Sequence, residues 1–149
     1  MDTAAAEAAV NPKSQIPKTK SQIKINPNPE MEDKAKPRDL EVRTFQFAQA
    51  IRAFVKDLPK TVGNTEDARQ LVRASGSVGA NWIEADEALS KKDFLMRVKI
   101  CRKEAKESRL FLHLVDAGSS QSSAFARDKL AEEARALTLI FSAIISKTG

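Results

Sequence analysis

An all-α fold, an antiparallel up-down four-helix bundle behind a disordered N-terminal tail, is predicted by three observations. Apolar residues recur at helical spacing in four separate stretches. Short breaker-rich links separate those stretches. Strand signals are missing, and neither Asn-Gly nor Asp-Gly occurs anywhere in the chain.

The 149 residues suit one folded domain. Residues 1–37 carry every proline except Pro59, contain no aromatic residue, and repeat Lys-Ser-Gln-Ile at 13–16 and 20–23. Such a segment buries too little apolar surface to offset the entropy lost on ordering. It reads as a disordered, low-complexity tail, with the bundle in 38–149. The opening MDTAAAEAAV has no basic flank and no long apolar run, so it does not read as a secretory signal.

The first helix is expected from about Asp39 to Leu58. Leu40, Thr44, Phe47, Ile51, Phe54, Val55 and Leu58 share one face, and Pro59 with Gly63 ends it. Val42 and Phe45 point off that face. The second helix is expected from Thr65, an N-cap followed by Glu66 and Asp67. Leu71, Ser75, Val78, Trp82, Ala85 and Leu89 step 4-3-4-3-4, a heptad seam. Gly76 and Gly79 each cost about 1 kcal/mol against Ala in a helix interior, so a closely approaching neighbour is expected there. The third helix starts after Ser90, which heads a capping box with Asp93, and runs to about Asp116. Its seam is Phe94, Val98, Cys101, Ala105, Ser108, Leu112 and Val115. The small centre of that seam matches the glycine region of the second helix, which predicts close packing of the two. Gly118 to Ser123 reads as a turn. The last helix, about Ser123 to Lys147, groups Ala126, Leu130, Ala134, Leu137, Phe141, Ile144 and Ile145.

Composition narrows the function. The net charge is +5, and the pI near 9.4 suits an anionic partner. No window reaches the roughly 18 apolar residues of a membrane span, so no membrane partner is expected and a cytoplasmic protein is the default. A lone cysteine excludes an internal disulfide and a multi-cysteine zinc site. Glu84/Glu87 and Glu104/Glu107 invite comparison with di-iron bundles, but those need Glu-x-x-His pairs, and His113 is the one histidine. The glutamates fall off the seams and read as surface or inter-helix ion pairs. Gly76-Ser-Val-Gly79 lacks the phosphate-loop pattern and lies within a helix. Cys101 reads as an inert core thiol, Asn81 as a hydrogen-bonding device beside the seam, and His113 as a structural residue near the seam edge. No catalytic group, metal or cofactor is expected.

What remains is a row of cations. Lys92, Lys99, Lys103, Lys106 and Arg109 lie on the side of the third helix away from its seam, flanked by Arg102. A row of this kind can track a phosphate backbone, RNA or DNA, each neutralised phosphate adding a salt-dependent increment. It reads equally well as a solvated helix face balanced by Glu104 and Glu107. Without interleaved aromatics it does not predict readout of single-stranded bases.

Residues 74–85 (ASGSVGANWIEA), Ser90-Lys-Lys-Asp-Phe94 and Lys103-Glu-Ala-Lys-Glu-Ser-Arg109 with Leu112 carry a family resemblance. They resemble a bacterial four-helix-bundle family that includes proteins encoded in intervening sequences of large-subunit ribosomal RNA genes. The accessory variability determinant of diversity-generating retroelements is a related branch. The resemblance spans about residues 40–146. It implies an up-down bundle assembled as a ring of five, without enzymatic activity. One branch binds nucleic acid and its reverse transcriptase. Val42, Phe45 and Leu139, apolar but off their main seams, fit a ring interface. A structural or protein-interaction adaptor with a partner protein stays open beside the nucleic-acid reading.

Overall fold

A computed structural model describes residues 37–149; the tail predicted for 1–37 lies, apart from Pro37, outside the described residues. Four helices follow one another: α1 Pro37–Lys56, α2 Val62–Asp86, α3 Lys91–Leu114 and α4 Gln121–Thr148. Among the described residues there is no strand. Consecutive helices pack side by side and α4 returns to α1, closing an antiparallel up-down bundle whose loosest pair is α1 with α4.

The predicted seams form the core. Leu40, Thr44, Phe47, Ile51, Phe54 and Leu58 of the first segment are buried, as are Leu71, Ser75, Val78, Trp82 and Ala85 of α2. Every α3 seam residue from Val98 to Leu112 is fully buried, and Ala134, Leu137 and Phe141 of α4 meet them. Trp82 binds the layers together: its ring lies 6.2 Å from Phe94, edge-on, and 6.1 Å from Phe141.

Several local expectations change. The cap of α2 is Thr61, whose Oγ1 accepts from Asn64 N at 3.0 Å, so Gly63 sits inside the first turn rather than breaking a helix. Thr65 is one turn into the helix. The choice follows from Asn64, which is buried. Its Nδ2 donates to the carbonyls of Pro59 and Asp116, both at 2.9 Å, and its Oδ1 accepts from Asp116 N. One amide thus ties the α1–α2 link to the α3–α4 turn. Beside it, Gly118 holds φ +78, and a Cβ there would lie 2.9 Å from Pro59 Cγ. Both the backbone and the space require glycine.

Leu89, placed on the α2 seam by spacing, lies in the α2–α3 turn and is 98% exposed, because the helix ends at Asp86 with Glu87 as C-cap. Ser90 caps α3 as expected, its Oγ accepting from Asp93 N at 3.1 Å. Ser120 caps α4, so the helix begins at Gln121, two residues before the predicted Ser123.

The glycines of α2 face α1, not α3. A Cβ on Gly79 would meet Thr44 Oγ1 at 3.2 Å, and one on Gly76 would meet the Arg52 guanidinium at 3.4 Å. The small centre of α3 serves a different contact: Cys101 Sγ reaches the Val78 carbonyl at 3.5 Å. Burial raises the Cys101 thiol from its ordinary 9.0 to about 12, so it stays protonated and inert.

Candidate nucleic-acid interface on the third helix

Because the α3 seam faces inward, its other side faces solvent. Lys92, Lys99, Lys103 and Lys106 are all exposed there. At 1.5 Å per residue, Lys92 and Lys106 stand about 21 Å apart along the axis. Lys92, Lys99 and Lys106 form no ion pair among the described residues, which leaves their charge available. Lys103 is partly engaged, its Nζ lying 3.7 Å from Glu104 Oε2.

The two arginines differ from the lysines. Arg102 is half-buried and reaches α4, donating to Ser142 Oγ at 3.4 Å. Arg109 is exposed, and at 100° per residue it falls roughly a quarter turn from the lysine row, on the Arg102 side. A shallow cleft on this face is lined by Lys99, Arg102, Lys103, Lys106, Glu107 and Leu110. Such a cleft, lined by three lysines and an arginine, concentrates positive potential.

Glu104 departs from the expected surface position. Its side chain is 8% exposed at the α2–α3 contact, and Oε1 has no hydrogen-bond partner. Arg73 Nη2 lies 3.4 Å from that oxygen, an ion-pair distance, while donating at 2.9 Å to Glu107 Oε1. Glu104 and Glu107 thus form the expected inter-helix pairing, with one member inside. The acid needs its cations because a buried charge left alone is costly. Asn81 also bridges: it donates to the Ser77 carbonyl at 2.9 Å and accepts from Arg97 Nη1 at 3.0 Å. His113 is exposed in the last turn of α3 and not packed at a seam edge.

Periodicity overlooked the apolar residues sharing the lysine side. Met96, Leu110 and Leu114 are 48%, 52% and 55% exposed. Their signal was present: at 100° per residue all three fall within roughly 40° of Lys92. A second apolar surface lies in the loose α1–α4 seam. Ala50, Ala53, Phe54, Phe125, Ala126 and Leu130 line a groove there, with Asp57 and Lys129 also bordering it. Phe125 is 65% exposed, with Lys129 Nζ 5.5 Å from its ring centre. Of the predicted interface residues, Phe45 and Leu139 are exposed on these same two helices, and Val42 is half-buried.

Fold and surface together define the class: a four-helix bundle with a cationic outer helix. Among the described residues no helix is long and apolar enough to cross a membrane, and no group of three or more His, Cys, Asp or Glu could hold a metal. The chain belongs to the 23S rRNA-intervening sequence protein family, whose pattern matches residues 38–138. Among solved structures it is similar to a protein of unknown function from the S23 ribosomal protein family of Bacteroides thetaiotaomicron VPI-5482. The two are 24% identical with a TM-score of 0.59, over 70% of this chain and 96% of that one, and the likeness concerns the fold. No curated protein matches the chain.

Proposed function

We propose that this protein is a non-enzymatic, cytoplasmic, homo-oligomeric helical bundle, a pentamer by family resemblance, that binds RNA or DNA through the outer side of α3. The observation that carries this reading is the exposed lysine row, three of whose members form no ion pair among the described residues. Phosphate contacts supply affinity without sequence readout. Repetition around an oligomer turns weak single contacts into useful avidity. Lys92, Lys99, Lys103 and Lys106 provide the charge, with Arg102 and Arg109 beside them. Val42, Phe45 and Leu139 belong to the contact between copies. No cofactor is required.

A salt titration tests this. The parent protein is expected to bind duplex RNA or DNA at low salt, with affinity falling steeply as salt rises. Changing Lys99, Lys103 and Lys106 to Glu removes up to three phosphate contacts. On a duplex that lowers the log–log salt slope by roughly 2–3. Undetectable binding at low salt, or no change in the triple variant, refutes the reading.

A second reading, a protein-interaction adaptor, is favoured by one observation. Met96, Leu110 and Leu114 lie exposed among the lysines, and phosphates have no use for them. A stoichiometric protein partner that survives nuclease treatment would select this reading.

A further inference from the structure

Among the described residues four arginines are half-buried: Arg43, Arg97, Arg102 and Arg127. Three of them meet a carboxylate or amide oxygen. Arg43 donates to both carboxylate oxygens of Glu133, at 2.7 and 3.0 Å. Arg97 donates to Asn81 Oδ1 at 3.0 Å, and Arg127 to Asp128 Oδ1 at 3.2 Å. Arg102 is the exception. Its one hydrogen bond is to the Ser142 hydroxyl of α4 at 3.4 Å, and no carboxylate pairs with it among the described residues. It lines the α3 cleft together with Lys99, Lys103 and Lys106.

We infer that Arg102 fixes a backbone phosphate in that cleft, its planar fork gripping two phosphate oxygens while the lysines supply attraction alone. This rests on the nucleic-acid reading above and adds the point at which the strand is held. Half-burial strips water from a guanidinium, and a long bond to a neutral hydroxyl returns little of what is lost. A phosphate oxygen returns more, because bonds between ionised partners are shorter and about twice as strong. Arg43 shows the satisfied arrangement within the same molecule, with Glu133 in the place the phosphate would take.

The fork and the lysines differ in kind. A guanidinium presents paired donors in a fixed plane, whereas an ammonium is a point charge on a flexible stem. Bracing by α4 further limits the freedom Arg102 loses when a ligand arrives. Lys99, Lys103 and Lys106 stand within about 6 Å of Arg102 along the helix axis, and Lys92 extends the row to about 15 Å on one side. Cations on both sides of the fork suit a continuing strand better than an isolated phosphate. Contacts of this kind set position on the backbone and carry no sequence.

Arg102→Lys tests the assignment, since it keeps the charge and gives up the fork. Binding to a short duplex RNA and a duplex DNA is measured across a salt series. Arg102→Lys is expected to weaken binding about tenfold at every salt concentration with the salt slope unchanged. Lys99→Gln should instead lower the slope by about 1. Should Arg102→Lys melt below the parent, Ser142→Ala carries the test: it keeps every charge, and it is expected to weaken binding about threefold at unchanged slope. Parental affinity in both variants overturns the fork and leaves the nucleic-acid reading standing. A parent chain that binds neither duplex at low salt overturns both. Duplexes with and without a terminal phosphate are expected to bind alike, and a preference for the phosphorylated end overturns the assignment to the backbone.

Discussion

The inner and outer sides of α3 obey different rules over the same residues. On the inner side Val98, Cys101, Ala105, Ser108 and Leu112 are completely buried. Each position there is set by the volume its neighbours leave. On the outer side lysines alternate with Met96, Leu110 and Leu114, half in water, and no packing among the described residues dictates them. The lesson is that residues which the fold explains are poor candidates for function, and residues which it does not explain are the useful ones.

Substitutions can break or sharpen that contrast. The largest effect is expected from paired leucine truncations two positions apart. Leu112→Ala should destabilise by about 2–5 kcal/mol through lost burial and a cavity, whereas Leu110→Ala should stay within about 0.5 kcal/mol. Urea denaturation of both variants checks this, at matched protein concentration because assembly adds to apparent stability. Equal costs would erase the distinction between the two sides.

Next comes the alkaline limit set by Cys101. The folded thiol titrates near 12 instead of 9.0. Above the lower value the unfolded chain sheds a proton that the folded chain keeps. Stability from this group is therefore complete below about pH 9 and declines between 9 and 12. The slope approaches about 1.4 kcal/mol per pH unit inside that window. The parent chain and Cys101→Ala, denatured across that range, should differ by that slope.

The glycines allow the same comparison on α2. Gly79→Val forces atoms against Thr44, where a Cβ already lies 3.2 Å from Oγ1, and should cost about 1–3 kcal/mol. Gly76→Ala meets only the far end of Arg52 and should gain up to about 1 kcal/mol from helix propensity. Thermal unfolding separates the two signs. The smallest effect on stability is expected for Lys99, Lys103 and Lys106 changed to Glu, within about 0.5 kcal/mol per site, despite the large loss of salt-dependent binding. A marked destabilisation would mean that the lysines support the fold.

Much of the bundle was legible in the sequence. Spacing places the α3 seam where Val98 to Val115 are buried, Ser90 caps α3 as its capping box predicts, and the first helix buries the face its period marks. Leu89 failed because its spacing continues the α2 seam while the backbone has already turned. Thr65 failed because two threonines fit the capping pattern and only Asn64, bonded to a loop far along the chain, chooses between them. For the candidate site, the lysine row is legible in the sequence but Met96, Leu110 and Leu114 are not, because a helical period marks the face that burial selects and says nothing of apolar residues opposite it.

By itself the sequence determined the number of helices, the face each one buries and the side on which α3 collects its charge. These depend on spacing along one helix, and hydrophobic burial reads that spacing directly. Only the tertiary structure decided that Gly79 receives Thr44 of α1, that Glu104 is enclosed against Arg73, and that the α1–α4 seam stays open beside Phe125. A helical period states that a face is covered without saying by which helix, because the identity and distance of a neighbour come from how all four helices share one core.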